Sequence, residues 1–228
     1  MILTLGDSFT FGLELPDCPS VEDSYEFLPS KFAWPNQLAK QLGQGVVNLS
    51  MPGGSNDRIF RLAMAESVAK KHDIIICAWT SLTRIDIKYN GKDFPVTLNS
   101  GKWHSDKLPW INDFYKFSYD EHHFAESWLA KLVALQDYFK YNNQKYLFLN
   151  MQQVGILPGF LGVNAVTKFV DFESKIDRNF YIGWPDESMV EWMADCPRGP
   201  GGHPLQLGHE RIADKIYEHI KNLGWTFT

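Results

Sequence analysis

Cysteine is scarce in this 228-residue sequence: Cys18, Cys77 and Cys196 are all there is. An odd set without paired spacing rules out a disulfide framework and a cysteine-rich zinc site. It points instead to a reducing compartment. Cys77 sits inside an apolar run and reads as a small buried hydrophobe. No apolar stretch approaches about 18 residues, so no membrane-spanning helix is expected. The opening Met1-Ile-Leu-Thr-Leu carries no positive region and no long apolar core, so no signal peptide is expected either. Basic residues are in the minority, 22 Lys and Arg against 27 Asp and Glu, for a net charge of −5. That balance argues against nucleic acid and anionic membrane surfaces as partners. There is no P-loop, no Gly-x-Gly-x-x-Gly, no internal repeat and no His/Cys/Asp cluster with metal-ligand spacing. The expected cofactor list is therefore empty, and no metal is expected.

What is present is a soluble composition, 44% hydrophobic and 14% aromatic with eight Trp. The length suits one α/β domain. Residues 2–5 form a short apolar run ended by Gly6, which predicts a buried strand. Residues 13–33 are polar and read as loop. Trp34, Leu38 and Leu42 recur on one helical face, with Pro35 near its start and Gly43 and Gly45 at its end. Residues 46–49 predict a second strand. The turn Pro52-Gly53-Gly54-Ser55-Asn56 opens a helix over about 56–71, with Ser55 or Asn56 as N-cap. Residues 73–78 predict a third strand, apolar from Ile74 onward as a central parallel strand should be. Residues 85–120 have no clean period and many aromatics, among them Tyr89, Phe94, Trp103, Trp110, Phe114, Tyr115 and Phe117, and read as an insertion. A long helix follows, with Phe124, Trp128, Leu132, Leu135 and Phe139 on one face. Residues 145–150 predict a fourth strand, and a last helix covers about 205–222. This alternation predicts a three-layer α/β sandwich with a flavodoxin-like parallel sheet.

Sites in open α/β sheets gather at the carboxyl ends of the strands. The first strand there presents Gly6-Asp7-Ser8, a hydroxyl beside a glycine turn and a candidate nucleophile. The second leads to Gly53 and Gly54, whose backbone N–H groups make an anion-friendly nest. Near the other end of the chain, Gly201-Gly202-His203-Pro204 places an imidazole at a helix mouth, a candidate general base. His209, inside the last helix, reads as a helix-surface residue.

Taken together, Gly6-Asp7-Ser8, Asn48 with Gly53 five residues on, and His203-Pro204 followed by Gly208-His209-Glu-Arg-Ile212-Ala213 resemble the blocks of the SGNH (GDSL-like) hydrolase family. The resemblance spans nearly the whole chain as a single domain, residues 1–228. It implies the SGNH hydrolase fold and a serine esterase acting on short acyl esters, with O-acetyl groups on carbohydrate preferred. The partner is then a small-molecule or glycan ester. It also implies Ser8 as nucleophile, His203 as base, and an oxyanion hole from the N–H groups of Ser8 and Gly53. Two blocks depart from the family pattern. The third strand runs into Trp79-Thr80-Ser81-Leu82-Thr83-Arg84 without the usual Asn. Thr80 or Ser81 could donate in its place, Asn56 and Asn150 are substitutes, and Arg84 could hold substrate, with Asp7 and Asn56 also near it. The usual Asp three residues before the His is Pro200 here. Asp195 is the preferred acid, ahead of Asp186 and Glu191; a backbone carbonyl would leave a Ser–His dyad. The alternatives are a non-catalytic glycan-binding module on an eroded scaffold, and a lysophospholipase or thioesterase of the same fold. The compact style, without a signal, resembles SGNH proteins of bacteriophages, which implies a cytoplasmic or virion-associated setting.

Overall fold

The computed structural model describes residues 1–19, 28–89, 92–96, 108–153, 172–185 and 187–227. Five strands form one parallel sheet: β1 (Ile2–Leu5), β2 (Val46–Asn48), β3 (Ile74–Trp79), β6 (Tyr146–Asn150) and β7 (Tyr181–Ile182). Their order is β2-β1-β3-β6-β7. The apolar runs of β1, β3 and β6 are buried along their whole length, because helices cover both faces. The register pairs Leu3 with Ile75, and Cys77 with Phe148, so the strand ends that follow line up on one edge.

Successive side chains point to opposite faces of a strand, which sorts the core into two layers. Leu3, Leu5, Ile75, Cys77 and Phe148 pack against helices α3 (Asn56–Ala69) and α5 (Glu121–Tyr141). Ile2, Ile74, Ile76 and Leu147 pack against α2 (Trp34–Leu42) and α7 (Gln206–Asn222). The expected helices thus stand where periodicity put them, and α5 buries Trp128, Leu132, Leu135 and Phe139 as its pattern requires. Ser55 is the N-cap of α3, its hydroxyl accepting the Arg58 N–H. Gly43 closes α2 at φ 64°, a left-handed cap that favours glycine.

Several short elements lay below the reach of pattern, the helical turn α6 (Met189–Trp192) among them. The short helix α1 (Ser8–Phe11) follows β1 directly. The edge strand β7 is two residues long, too short to show a period. The expected insertion begins with an antiparallel hairpin, β4 (Ile85–Tyr89) and β5 (Lys92–Val96), followed by α4 (Ile111–Phe117). Val96, Leu108 and Ile111 form a small core there with Phe114 and Tyr115 packed against it. These two aromatics serve packing, while Trp110 and Phe117 are exposed. Trp103 lies outside the described residues. Among the described residues no helix is long and apolar enough to cross a membrane.

Candidate active site

Ser8 stands at the carboxyl end of β1, at the first position of α1. Asp7 builds this corner: it is the N-cap of α1, and its carboxylate accepts the Phe9 N–H at 3.0 Å. Gly6 is required on steric grounds, since a Cβ there would lie 2.3 Å from Thr10 Oγ1. The β2–α3 loop is fastened alongside. Met51 N–H donates to the Gly6 carbonyl, and the Asn48 amide donates to the Thr10 carbonyl at 2.8 Å. Gly53 in that loop takes φ +73°, and the hairpin's Pro95 packs over it. Among the described residues the N–H groups of Ser8 and Gly53 have no hydrogen-bond partner.

The imidazole arrives from the far end of the chain. The His203 ring lies edge-on to Phe9, the residue after Ser8, with centroids 5.7 Å apart. Ser8 is 5% exposed and the His203 side chain 13%, so both sit at the floor of the surface rather than beneath it. Among the described residues neither Ser8 Oγ nor His203 Nε2 has a hydrogen-bond partner.

The other ring nitrogen is held by a residue the motifs did not single out. Glu14 Oε2 lies 3.0 Å from His203 Nδ1. The same carboxylate accepts the backbone N–H groups of Gly201, at 2.6 Å, and His203, at 3.1 Å. Burial alone would raise the Glu14 carboxyl, but the hydrogen bonds from Gly201 and His203 and the nearby His203 charge outweigh it and hold it below the ordinary 4.5. An ionised carboxylate at Nδ1 favours the tautomer with its proton on Nδ1 and a lone pair on Nε2.

Asp195 is not the partner of His203. Its side chain is 76% exposed and pairs with Arg211 on the first turns of α7. Hydrogen bonding to that guanidinium lowers its pKa. The backbone after Asp195 turns back on itself, with Arg198 bridged to Pro204, and this carries His203 away from Asp195 and toward Glu14. Glu191 pairs with the Ser188 hydroxyl, and Asp186 lies outside the described residues.

The remaining candidates are held by other protein groups. Asp7 is fully buried, so it does not meet substrate; its carboxylate also accepts the Thr80 hydroxyl at 2.8 Å and Arg84 Nη1 at 2.6 Å. The Thr80 hydroxyl has one proton, and donating it to Asp7 leaves none for an oxyanion. Asn56 closes a two-bond clamp on Thr80, its amide donating to the Thr80 carbonyl and its carbonyl accepting the Thr80 N–H. Ser81 pairs with the Thr83 hydroxyl at 2.9 Å. Asn150, the last residue of β6, is buried and accepts the Tyr181 hydroxyl. Arg84 and Asn56 do line a cavity of about 170 Å³, together with Phe124, Trp128 and Lys131.

His209 is likewise not on the helix surface. It is fully buried, and its Nδ1 accepts the Trp34 N–H at 3.1 Å, tying α7 to the start of α2. Burial first, and the His203 charge second, push its pKa down to about 3.

The fold is shared with solved structures that include two esterases. The chain resembles the crystal structure of TesA with a TM-score of 0.54 at 14% identity, over 97% of this chain and 98% of that one. It resembles the psychrotrophic esterase EstA from Pseudoalteromonas sp. with a TM-score of 0.50 at 15% identity, over 97% of both chains. A family two carbohydrate esterase from Clostridium thermocellum, solved in complex with cellohexaose, gives a TM-score of 0.54 at 16% identity, over 98% of this chain and 64% of that one. No curated protein matches the sequence. One family model does, from residue 13 to residue 227, and the chain belongs to that family, a family of unknown function (DUF6071).

Proposed function

We propose that this protein is a serine hydrolase of short acyl esters, with Ser8 as nucleophile and His203 as general base. One observation carries the reading: an imidazole anchored through Nδ1 lies edge-on to Phe9 in α1, and among the described residues its Nε2 is unpartnered, as is the hydroxyl of Ser8, the residue before Phe9. A histidine kept for packing alone would not need an anchored ring with a free lone pair.

In this mechanism His203 Nε2 takes the Ser8 proton as Oγ attacks the ester carbonyl carbon. The tetrahedral oxyanion accepts from the N–H groups of Ser8 and Gly53. The C–O bond to the alcohol then breaks as His203 returns the proton to the leaving oxygen. Water, activated by the same ring, releases the acyl group. One oxyanion donor is typically worth about 3 kcal/mol of barrier. With the Thr80 hydroxyl engaged by Asp7, the hole rests on backbone donors.

The preferred substrate is an O-acetylated carbohydrate. A carbohydrate esterase of similar fold, solved with bound cellohexaose, supports that preference.

The test is hydrolysis of p-nitrophenyl acetate and release of acetate from acetylated oligosaccharides. Ser8→Ala is expected to lower either rate by about 10⁴-fold or more, with an unchanged thermal unfolding curve. A wild-type protein that neither turns over these esters nor reacts with a fluorophosphonate sinks the proposal and favours a non-catalytic glycan binder.

A further inference from the structure

We propose that Glu14, on the loop that follows the nucleophile, is the acid of the catalytic triad, and that the glycines of the His203 loop exist to seat it. This rests on the reading of Ser8 as nucleophile and His203 as base, and goes beyond it by naming the positioning residue.

Four independent observations meet at this carboxylate. Its distance to His203 Nδ1, 3.0 Å, is that of a charge-assisted hydrogen bond. Its side chain is 8% exposed, so the pair is shielded from water more than a surface ion pair is. Its backbone is in the left-handed region at φ 69°, where a residue with a Cβ is strained by roughly 1–2 kcal/mol. Strain of that kind persists where the surroundings over-determine the position. Here the Glu14 N–H donates to the Cys18 carbonyl, and the neighbouring Leu13 and Cys18 are buried with Phe11. Finally, the opposing loop is cut to fit. A Cβ on Gly199 would lie 2.5 Å from Glu14 Oε2, and one on Gly201 would lie 3.1 Å from Oε1. Gly199 and Gly201 thus leave the room that the Glu14 carboxylate occupies, while Gly202 serves the left-handed turn at φ +83°.

The arrangement exchanges the usual source of the acid. Pro200 occupies the place three residues before His203. It has no N–H and no carboxylate to offer, and the acid comes from the nucleophile's side instead. Glu14 also accepts the backbone N–H groups of Gly201 and His203, so one carboxylate sets both the ring orientation and the path of the loop that carries the ring.

The test compares Glu14→Gln, Glu14→Asp and Asp195→Asn with wild type on p-nitrophenyl acetate. Glu14→Gln is expected to lower kcat by at least ~100-fold with KM within about threefold, because the orienting acid acts in the transition state. Glu14→Asp is expected to recover about tenfold of that loss, since it restores the charge at a shorter reach. Asp195→Asn is expected to stay within about twofold. A second readout does not depend on turnover. The imidazole Nδ1–H proton should give a far-downfield NMR resonance in wild type and in Ser8→Ala, and lose it in Glu14→Gln. Glu14→Gln with kcat within about threefold of wild type, or with the downfield resonance intact, overturns the proposal. If Glu14→Gln does not fold, Glu14→Asp decides: wild-type kcat together with a lost resonance overturns it too. A wild type that keeps the resonance but hydrolyses no ester defeats the esterase reading, and the triad with it.

Discussion

Asp7 and Glu14 flank the same short helix and each faces a basic side chain, yet they are built for different work. Asp7 has no exposed surface and meets three donors, from Phe9, Thr80 and Arg84. Every direction it could act in is already taken, so it fixes the corner that presents Ser8. Glu14 also meets three donors, but one belongs to an imidazole whose second nitrogen has no partner among the described residues. A charge fixed at one end of a two-ended group changes the properties of the other end. Arg84 has no such second acid–base end, because its guanidinium does not give up a proton in proteins. The difference between a structural and a functional carboxylate here lies in the partner rather than in the acid.

Breaking the Asp7 side should give the largest effect on stability. Arg84→Met leaves a buried carboxylate with two neutral donors and no counter-charge. Unfolding in urea is expected to show a loss of about 3 kcal/mol. A loss under about 1 kcal/mol would mean that Thr80 and Phe9 satisfy Asp7 unaided, and that Arg84 serves the cavity it lines. On the Glu14 side the signature is reversed. Gly199→Ala removes no functional group, yet its Cβ meets the Glu14 carboxylate. It is expected to lower kcat about tenfold, equivalent to ~1.4 kcal/mol of barrier, while the urea midpoint moves little. Equal losses in both measurements would mean that the glycine run is needed for folding rather than for seating the acid.

The smallest effect separates the acids from the buried second histidine by pH. His209 is held neutral, with its pKa down at about 3 against the ordinary 6.5 of an exposed histidine. Below pH 6.5 the unfolded chain takes up a proton that the folded one refuses, so stability falls as pH drops. Between pH 6.5 and 5.5 the expected loss from this group is about 1 kcal/mol, and His209→Gln should remove that share, leaving the part due to His72, whose pKa burial also lowers. Glu14 acts in a lower window: its folded pKa lies below 4.5, so its contribution is complete above that value and is lost as pH falls through it. Urea midpoints at pH 7, 5.5 and 4 would resolve the two. A wild-type curve flat from 6.5 to 5.5 would show that the His209 ring can take up a proton within the folded core.

Much of this was legible in the chain order. The reading of residues 73–78 as a central strand matches β3, Ile74–Trp79, to within one residue at each end, because a run of apolar residues demands cover on both faces. Ser8 and His203 were singled out because each sits in a short motif beside glycine, one just past β1 and the other just before α7. The fifth strand was not legible, since Tyr181 and Ile182 borrow their strand state from Phe148 and Leu149. Glu14 was missed because its relation to His203 has no local spacing. Its signals were indirect: a lone acid between Leu13 and Leu15 just after the nucleophile, three glycines before the histidine, and a proline where an acid would usually stand. Asp195 looked better only because it was nearer in sequence, and its exposed side chain found Arg211 on the last helix. His209 was misjudged for a related reason: helix periodicity places it, but only the packing of α7 on α2 decides that its ring is buried against the Trp34 N–H.

By itself the sequence determined the layers of this protein and the two groups that stand over its sheet. Hydrophobic period and glycine turns are local, and they act before any long-range contact forms. Which carboxylate reaches the imidazole was decided only in three dimensions. That choice depends on two loops from opposite ends of the chain closing on one another, and on the absence of a Cβ where they meet.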